Sequence, residues 1–180
     1  YLPENLLAGS ARMWIFIPWA ALVLVAVSNS VNLTDGLDGL ATGCSIVTSV
    51  VLAVLAWRTP ETRFLSAGAA ILASALMAFL FYNRHPAKVF MGDAGSLQIG
   101  AILGVLALAS GHELALLTGG LVFVVETLSV ILQVGWYRRT KRKILLCSPL
   151  HNHFVFRGIS ERRIVAAFWL VAAASGLATI

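Results

Sequence analysis

Asn32-Leu33-Thr34-Asp35-Gly36-Leu37-Asp38-Gly39-Leu40 is a short polar loop that carries two carboxylates between two long apolar runs. The remaining aspartate, Asp93, lies in a loop of similar make-up, Phe90-Met91-Gly92-Asp93-Ala94-Gly95-Ser96. Every aspartate therefore stands beside glycine at the end of a hydrophobic segment. The apolar runs set the class. With 59% hydrophobic and only 12% charged residues, and a mean hydropathy of +0.87, the chain is far more apolar than soluble domains, which carry about 25% charge. It reads as an integral membrane protein.

A helix needs about 20 mostly apolar residues to cross the hydrocarbon. Six stretches qualify, at 13–31, 41–57, 64–82, 97–110, 114–137 and 164–180. The fourth is short, but Gly111-His112-Glu113 is a turn signal that divides it from the fifth. An open chain in lipid must satisfy its backbone polar groups within each segment, so the expected fold is all-α, a polytopic transmembrane helical bundle. Residues 1–180 are expected to form a single transmembrane catalytic domain. Pro18 is expected in the first turn of the first span or at a kink, and Ser28-Asn29-Ser30 at its polar exit. Gly119-Gly120 is expected to bend the fifth.

Basic residues concentrate in cytoplasmic loops. Alternation from the Asp35 loop places Arg84, Lys88, Arg138, Arg139, Lys141, Arg142, Lys143, Arg157, Arg162 and Arg163 on its side, against Arg12, Arg58 and Arg63 opposite. That side is therefore read as cytoplasmic, with the polar stretch 1–12 on the other. All three aspartates fall on it, with His85, His151 and His153.

Asp35 and Asp38 are three apart, a spacing that shares a face in a helical turn. Two acids so close repel unless a cation or shared proton separates them. They could alternatively cap the second span, whose N-terminus favours negative charge. The spacing is not that of an EF-hand. The second loop, 81–96, sets aromatics, an amide, cations and Asp93 beside glycines that open a helix. A helix N-terminus is a ready phosphate site, and a single carboxylate with substrate phosphates is a usual way to hold Mg²⁺. Phe90 could stack on a base, or join an interfacial aromatic belt.

Glu126, Ser129 and Gln133 share one face of the fifth span. An ionisable residue at depth is a functional hypothesis by default; here a structural role is expected for Glu126 and a site role for Gln133, nearer the cytoplasmic end. The run 138–143 can anchor anionic lipid or attract an anionic substrate. His151-Asn152-His153 lacks an adjacent third ligand for zinc, so phosphate or nucleotide contact is its expected use, against a plain surface placement. Cys44 and Cys147 are solitary and form neither a metal knuckle nor a redox pair.

Taken together, 32–40, 89–96, 122–135 and 148–158 resemble the bacterial phospho-N-acetylmuramoyl-pentapeptide transferases, in the right order over nearly the whole chain. The resemblance implies a ten-helix, homodimeric enzyme of the bacterial inner membrane with its active site on the cytoplasmic face. Such an enzyme moves phospho-N-acetylmuramoyl-pentapeptide from its UDP carrier onto undecaprenyl phosphate, giving lipid I and UMP, and requires Mg²⁺. Asp93 corresponds to the magnesium ligand, and Asp35 and His153 to further catalytic groups. Asn32, Asp38, Asn83, Phe90, Gln133 and His151 correspond to substrate contacts, with Phe90 stacked on uracil. Membrane lipid is a further expected partner, and nucleic acid is not.

The family's early Asp-Asp motif has no match here, so the six spans are expected to be the last six of ten, and this stretch alone is a candidate for inactivity. Asn152 takes the middle place of the family's histidine triplet, which leaves no imidazole there. A related polyprenyl-phosphate N-acetylhexosamine-1-phosphate transferase would share the aspartate loops. A non-enzymatic transporter or scaffold would instead use Glu126 and the small-residue helices.

Overall fold

The computed structural model describes residues 9–180, with side chains from Met13 onward. The reading of 1–12 as an extracytoplasmic stretch falls outside those side chains. Among the described residues the regular elements are all helical: α1 (Gly9–Thr34), α2 (Leu40–Arg58), α3 (Arg63–Asn83), α4 (Gly92–Ser110), α5 (Ala115–Gly119), α6 (Leu121–Thr140), α7 (Leu150–Phe156) and α8 (Glu161–Thr179), with a 3-10 turn at Pro60–Thr62. Six of the segments are long and apolar enough to cross a membrane, in agreement with the sequence reading.

Lipid is as apolar as a leucine side chain, so size more than polarity decides which helix faces turn inward. α2 is the hub, packed along α3 and against α8. Its buried positions are mostly small, including Ala41, Thr42, Gly43, Cys44 and Ser45. Bulky Trp14, Phe64, Ile71, Leu170 and Leu177 stay exposed on the outside, where acyl chains are the solvent.

α1 crosses α4 at glycine. A Cβ on Gly100 would lie 2.6 Å from Ser28 Cα and 2.8 Å from the Val27 carbonyl oxygen, and Ser28 Oγ donates to the Leu97 carbonyl at 2.8 Å. Backbone atoms cannot swing aside as a side chain would. Gly100→Ala is therefore expected to cost about 1–3 kcal/mol by overpacking, read as a lower melting temperature of the detergent-solubilised protein. An unchanged melting temperature would mean that the two helices are not in this contact.

Several boundaries differ from those expected. α1 runs on through Ser28, Asn29 and Ser30 to Thr34, because Asn29 and Ser30 bond back to the carbonyls of Val25 and Ala26 instead of capping a frayed end. Pro18 lies inside this helix. The fourth span begins at Gly92, so Asp93 and Ser96 belong to the first turns of α4. The glycine pair does more than bend the fifth span, dividing it into α5 and α6. Thr48 Oγ1 reaches the Gly119 carbonyl at 3.0 Å, which gives a peptide at the break a partner from α2. The segment 148–158 contains α7, with Pro149 at its N-cap.

Alternation leaves the C-terminal ends of α1, α3 and α6, the N-terminal ends of α2, α4 and α8, and α7 at one end of the bundle. Cross-links between distant loops converge there.

Candidate functional site

The first link ties the two aspartate loops together. Asn32, in the last turn of α1, donates from Nδ2 to Asp93 Oδ1 at 2.9 Å and to Ser96 Oγ at 2.9 Å. The Ser96 hydroxyl in turn donates to the Gly92 carbonyl at 3.0 Å. Residues 61 positions apart are thus fixed to each other, and the two loops that carry them meet at one cleft. The cleft measures about 180 Å³, and Asp35, Gly36, Asp38, Asn83, Phe90 and Gly92 line it.

Its electrostatics follow from this arrangement. Burial pushes the Asp35 carboxyl up from 3.8 to about 6, the negative charge of Asp93 pushes in the same direction, and a hydrogen bond with the Gly92 backbone opposes both. The two acids repel, and a bound cation would relieve them. The donors here are carboxylates with an amide and a hydroxyl beside them, the oxygen-rich set that a hard cation such as Mg²⁺ takes.

Asp38 is differently employed. Its Oδ2 accepts from the Ala87 backbone N–H at 3.0 Å and meets His85 Nδ1 at 3.1 Å, while Glu161 Oε2 stands 3.4 Å from the same nitrogen. The N-cap of α2 is Gly39, with no side-chain cap, so the capping alternative does not apply. Asp38, His85 and Glu161 place ligand atoms within 4.8 Å of one another. Their carboxylates already answer an imidazole and an amide, and the cluster acts as a clamp between both loops and the start of α8. Asn83 supports the same loop from below. Its Oδ1 accepts from Thr42 Oγ1 at 2.6 Å and its Nδ2 donates to the Val89 carbonyl at 3.0 Å. Phe90 is 75% exposed, with its ring free at the rim.

The two histidines part company. His151 is buried and packs under the first loop, where a Cβ on Gly36 would lie 2.2 Å from its Nε2; a surface placement does not hold for it. Its backbone N–H donates to Glu126 Oε1 at 3.1 Å. His153 instead accepts the Leu146 N–H at Nδ1, 3.1 Å away. Gln133 accepts the Ile144 and Leu145 N–H groups at 3.0 and 2.9 Å and donates to the Leu145 carbonyl at 3.1 Å.

Gln133 also lines a second recess of about 480 Å³, beside Arg138, Lys141 and Lys143, apart from the residues that line the aspartate cleft. Gln133→Leu would leave two backbone N–H groups and a carbonyl without this partner. A loss of about 1–3 kcal/mol is expected, visible as an earlier thermal transition. Unchanged stability would show that this loop needs no anchor on α6.

Sequence reading did not find the Glu161 contact, the Thr42 support or the Glu126–His151 pairing, because each joins residues distant in the chain. α7 had a local signal that was passed over, a proline just before the segment that becomes helical.

Comparison with known proteins places this geometry in a family. The model of glycosyl transferase family 4 matches residues 3–111. The phospho-N-acetylmuramoyl-pentapeptide-transferase of Desulforamulus reducens is 49% identical over 158 residues, 88% of this chain and 47% of that protein. Those of Desulfovibrio desulfuricans and Sulfurimonas denitrificans are 44% and 46% identical, over 91% and 87% of this chain and 50% and 48% of theirs. The chain spans about half the length of the curated relatives it matches. Its two aspartate loops, met at one cleft and both within the matched stretch, are those of a membrane protein that belongs to glycosyl transferase family 4.

Proposed function

We propose that this chain supplies part of the catalytic body of a Mg²⁺-dependent transferase that moves phospho-N-acetylmuramoyl-pentapeptide from its UDP carrier to undecaprenyl phosphate, releasing UMP. The observation that carries the reading is the Asn32 bridge, which holds the Asp93 loop against the Asp35 loop at one end of an apolar bundle. The relatives, phospho-N-acetylmuramoyl-pentapeptide-transferases, support the donor. The membrane-spanning helices suit a lipid-phosphate acceptor, and the basic excess suits a cytoplasmic face at the inner membrane.

Phosphoryl transfer is mostly positioning and neutralisation of spread negative charge. Bound Mg²⁺ would supply that neutralisation at the diphosphate. Asp93 would be its protein ligand, and Asn32 holds the Asp93 carboxylate in place. Asp35, which lines the cleft and feels the Asp93 charge, would orient the cation or the attacking phosphate. Phe90, free at the rim, is suited to stack on uracil. Asp38 and Asn83 fix the loops that form the walls, and the lysines and arginines beside Gln133 attract the anionic donor. His153 and His151 approach from α7, and a second copy of the chain completes a homodimer.

The test is UMP release from UDP-N-acetylmuramoyl-pentapeptide and a polyprenyl phosphate, measured on this chain and on a protein of the relatives' full length that contains it. Mg²⁺-dependent release is expected from the longer protein. Faster turnover of a UDP-N-acetylhexosamine donor would instead favour the related hexosamine-1-phosphate transferases. Ligand binding with no UMP release by the longer protein would refute transfer.

A further inference from the structure

Glu126 lies in the second turn of α6, a membrane-spanning helix, wholly buried, and the transfer proposed above does not use it. A carboxylate at such depth costs at least about 2.5 kcal/mol, so something must answer it. The answer comes from α7. The His151 N–H donates to both carboxylate oxygens, at 3.1 and 3.4 Å, and His151 Nδ1 stands 3.3 Å from Oε2. Any acceptor would satisfy the backbone N–H; the imidazole is the more telling contact. His151 is 1% exposed, and its Nε2 faces the Gly36 backbone so closely that a Cβ there would lie 2.2 Å away.

The ring is thus wedged between the Glu126 carboxylate and the loop that carries Asp35 and Asp38. Among the described residues neither ring nitrogen has a well-aligned hydrogen bond. Charge and packing hold the ring in place. A carboxylate facing Nδ1 favours a proton on that nitrogen, which leaves Nε2 as an acceptor toward the loop.

We infer that Glu126 is a positioning residue for the transfer: through the His151 ring it sets where Gly36, and with it Asp35, stands opposite Asp93. The inference rests on the proposed transfer and extends it to a residue buried in the membrane-spanning part. It also gives glycine at 36 a reason, since the ring fits beneath the loop only where no side chain intervenes.

The experiment compares the unaltered full-length protein with Glu126→Gln, His151→Gln and the double variant, each checked for folding by thermal melting in detergent. Glutamine at 126 can still accept the His151 N–H but removes the charge facing Nδ1. UMP release is followed against donor concentration. Glu126→Gln should lower kcat about tenfold or more, as a small misplacement of a reacting group does, with KM for the UDP donor changed less than about twofold. The double variant should be no slower than His151→Gln alone, because the carboxylate acts through the ring.

Unchanged kcat in Glu126→Gln, or losses that multiply in the double variant, would overturn the inference. If Glu126→Gln does not fold, Gly36→Ala decides in its place. It presses the same ring from the loop side, and kcat should fall about tenfold or more with KM held; unchanged kcat overturns the inference. Turnover by the unaltered protein separates the two ideas: without it the transfer reading itself fails and takes the inference with it.

Discussion

Asp93→Asn in a protein of the relatives' full length is expected to reduce UMP release by about 10³-fold or more while leaving the melting temperature close to that of the parent. The size follows from the proposed role. Electrostatic stabilisation of developing charge is commonly the largest single catalytic contribution, with about 10²–10³-fold lost per donor removed, and a metal ligand controls more charge than one donor. The small effect on folding follows from placement. Asp93 is exposed in the first turn of α4, and its recorded side-chain contact is the Asn32 amide. Asparagine can still accept that bond, so the loop tie survives while the negative charge is lost. Turnover retained within tenfold would remove Asp93 from the metal site and leave the cleft without its main anchor.

The second large effect concerns pH. Asp35 titrates at about 6 instead of 3.8 because burial and the Asp93 charge both disfavour its ionised form. Since the folded value lies above the unfolded one, the native state holds this proton more tightly. The stability it contributes is fully present below pH 3.8 and is lost as the pH rises through about 6. The sign is opposite to that of an ion-paired carboxylate. The strain of the ionised form is what a cation would relieve, so binding and deprotonation should be linked.

At limiting Mg²⁺, kcat/KM should rise with pH along a limb centred near 6, and raising Mg²⁺ should move that limb to lower pH. Asp35→Asn should abolish the limb and lower activity by about 10²-fold or more. An acid limb that stays fixed as Mg²⁺ is titrated would show that Asp35 does not sense the metal.

These two residues illustrate what can be read along a chain. That Asp35 and Asp93 lie at helix ends follows from the lengths of the apolar runs between them, and the positive-inside bias gives them a common side. Gln133 shows the limit of such reasoning. Its position near the end of an apolar span suggested a site role; that its amide also holds Ile144 and Leu145 depends on how the chain turns after α6. Glu126 was expected to be structural from its place in an apolar run, but that place could not name His151 as its partner.

The sequence by itself determined the solvent, the number of spans and that the acids gather at one end of the bundle. Each of those depends on hydrophobicity summed over about 20 neighbouring residues, and such sums need no knowledge of neighbours in space. Only the tertiary structure decided that Asn32 bridges to Asp93, that Asp38 is held by His85 instead of capping α2, and that the His151 ring fills the space beneath Gly36. Those contacts arise where small-residue faces let α1 approach α4 and α2 approach α3 and α8. Their energies depend on gaps of a few tenths of an ångström, which packing sets and composition does not encode.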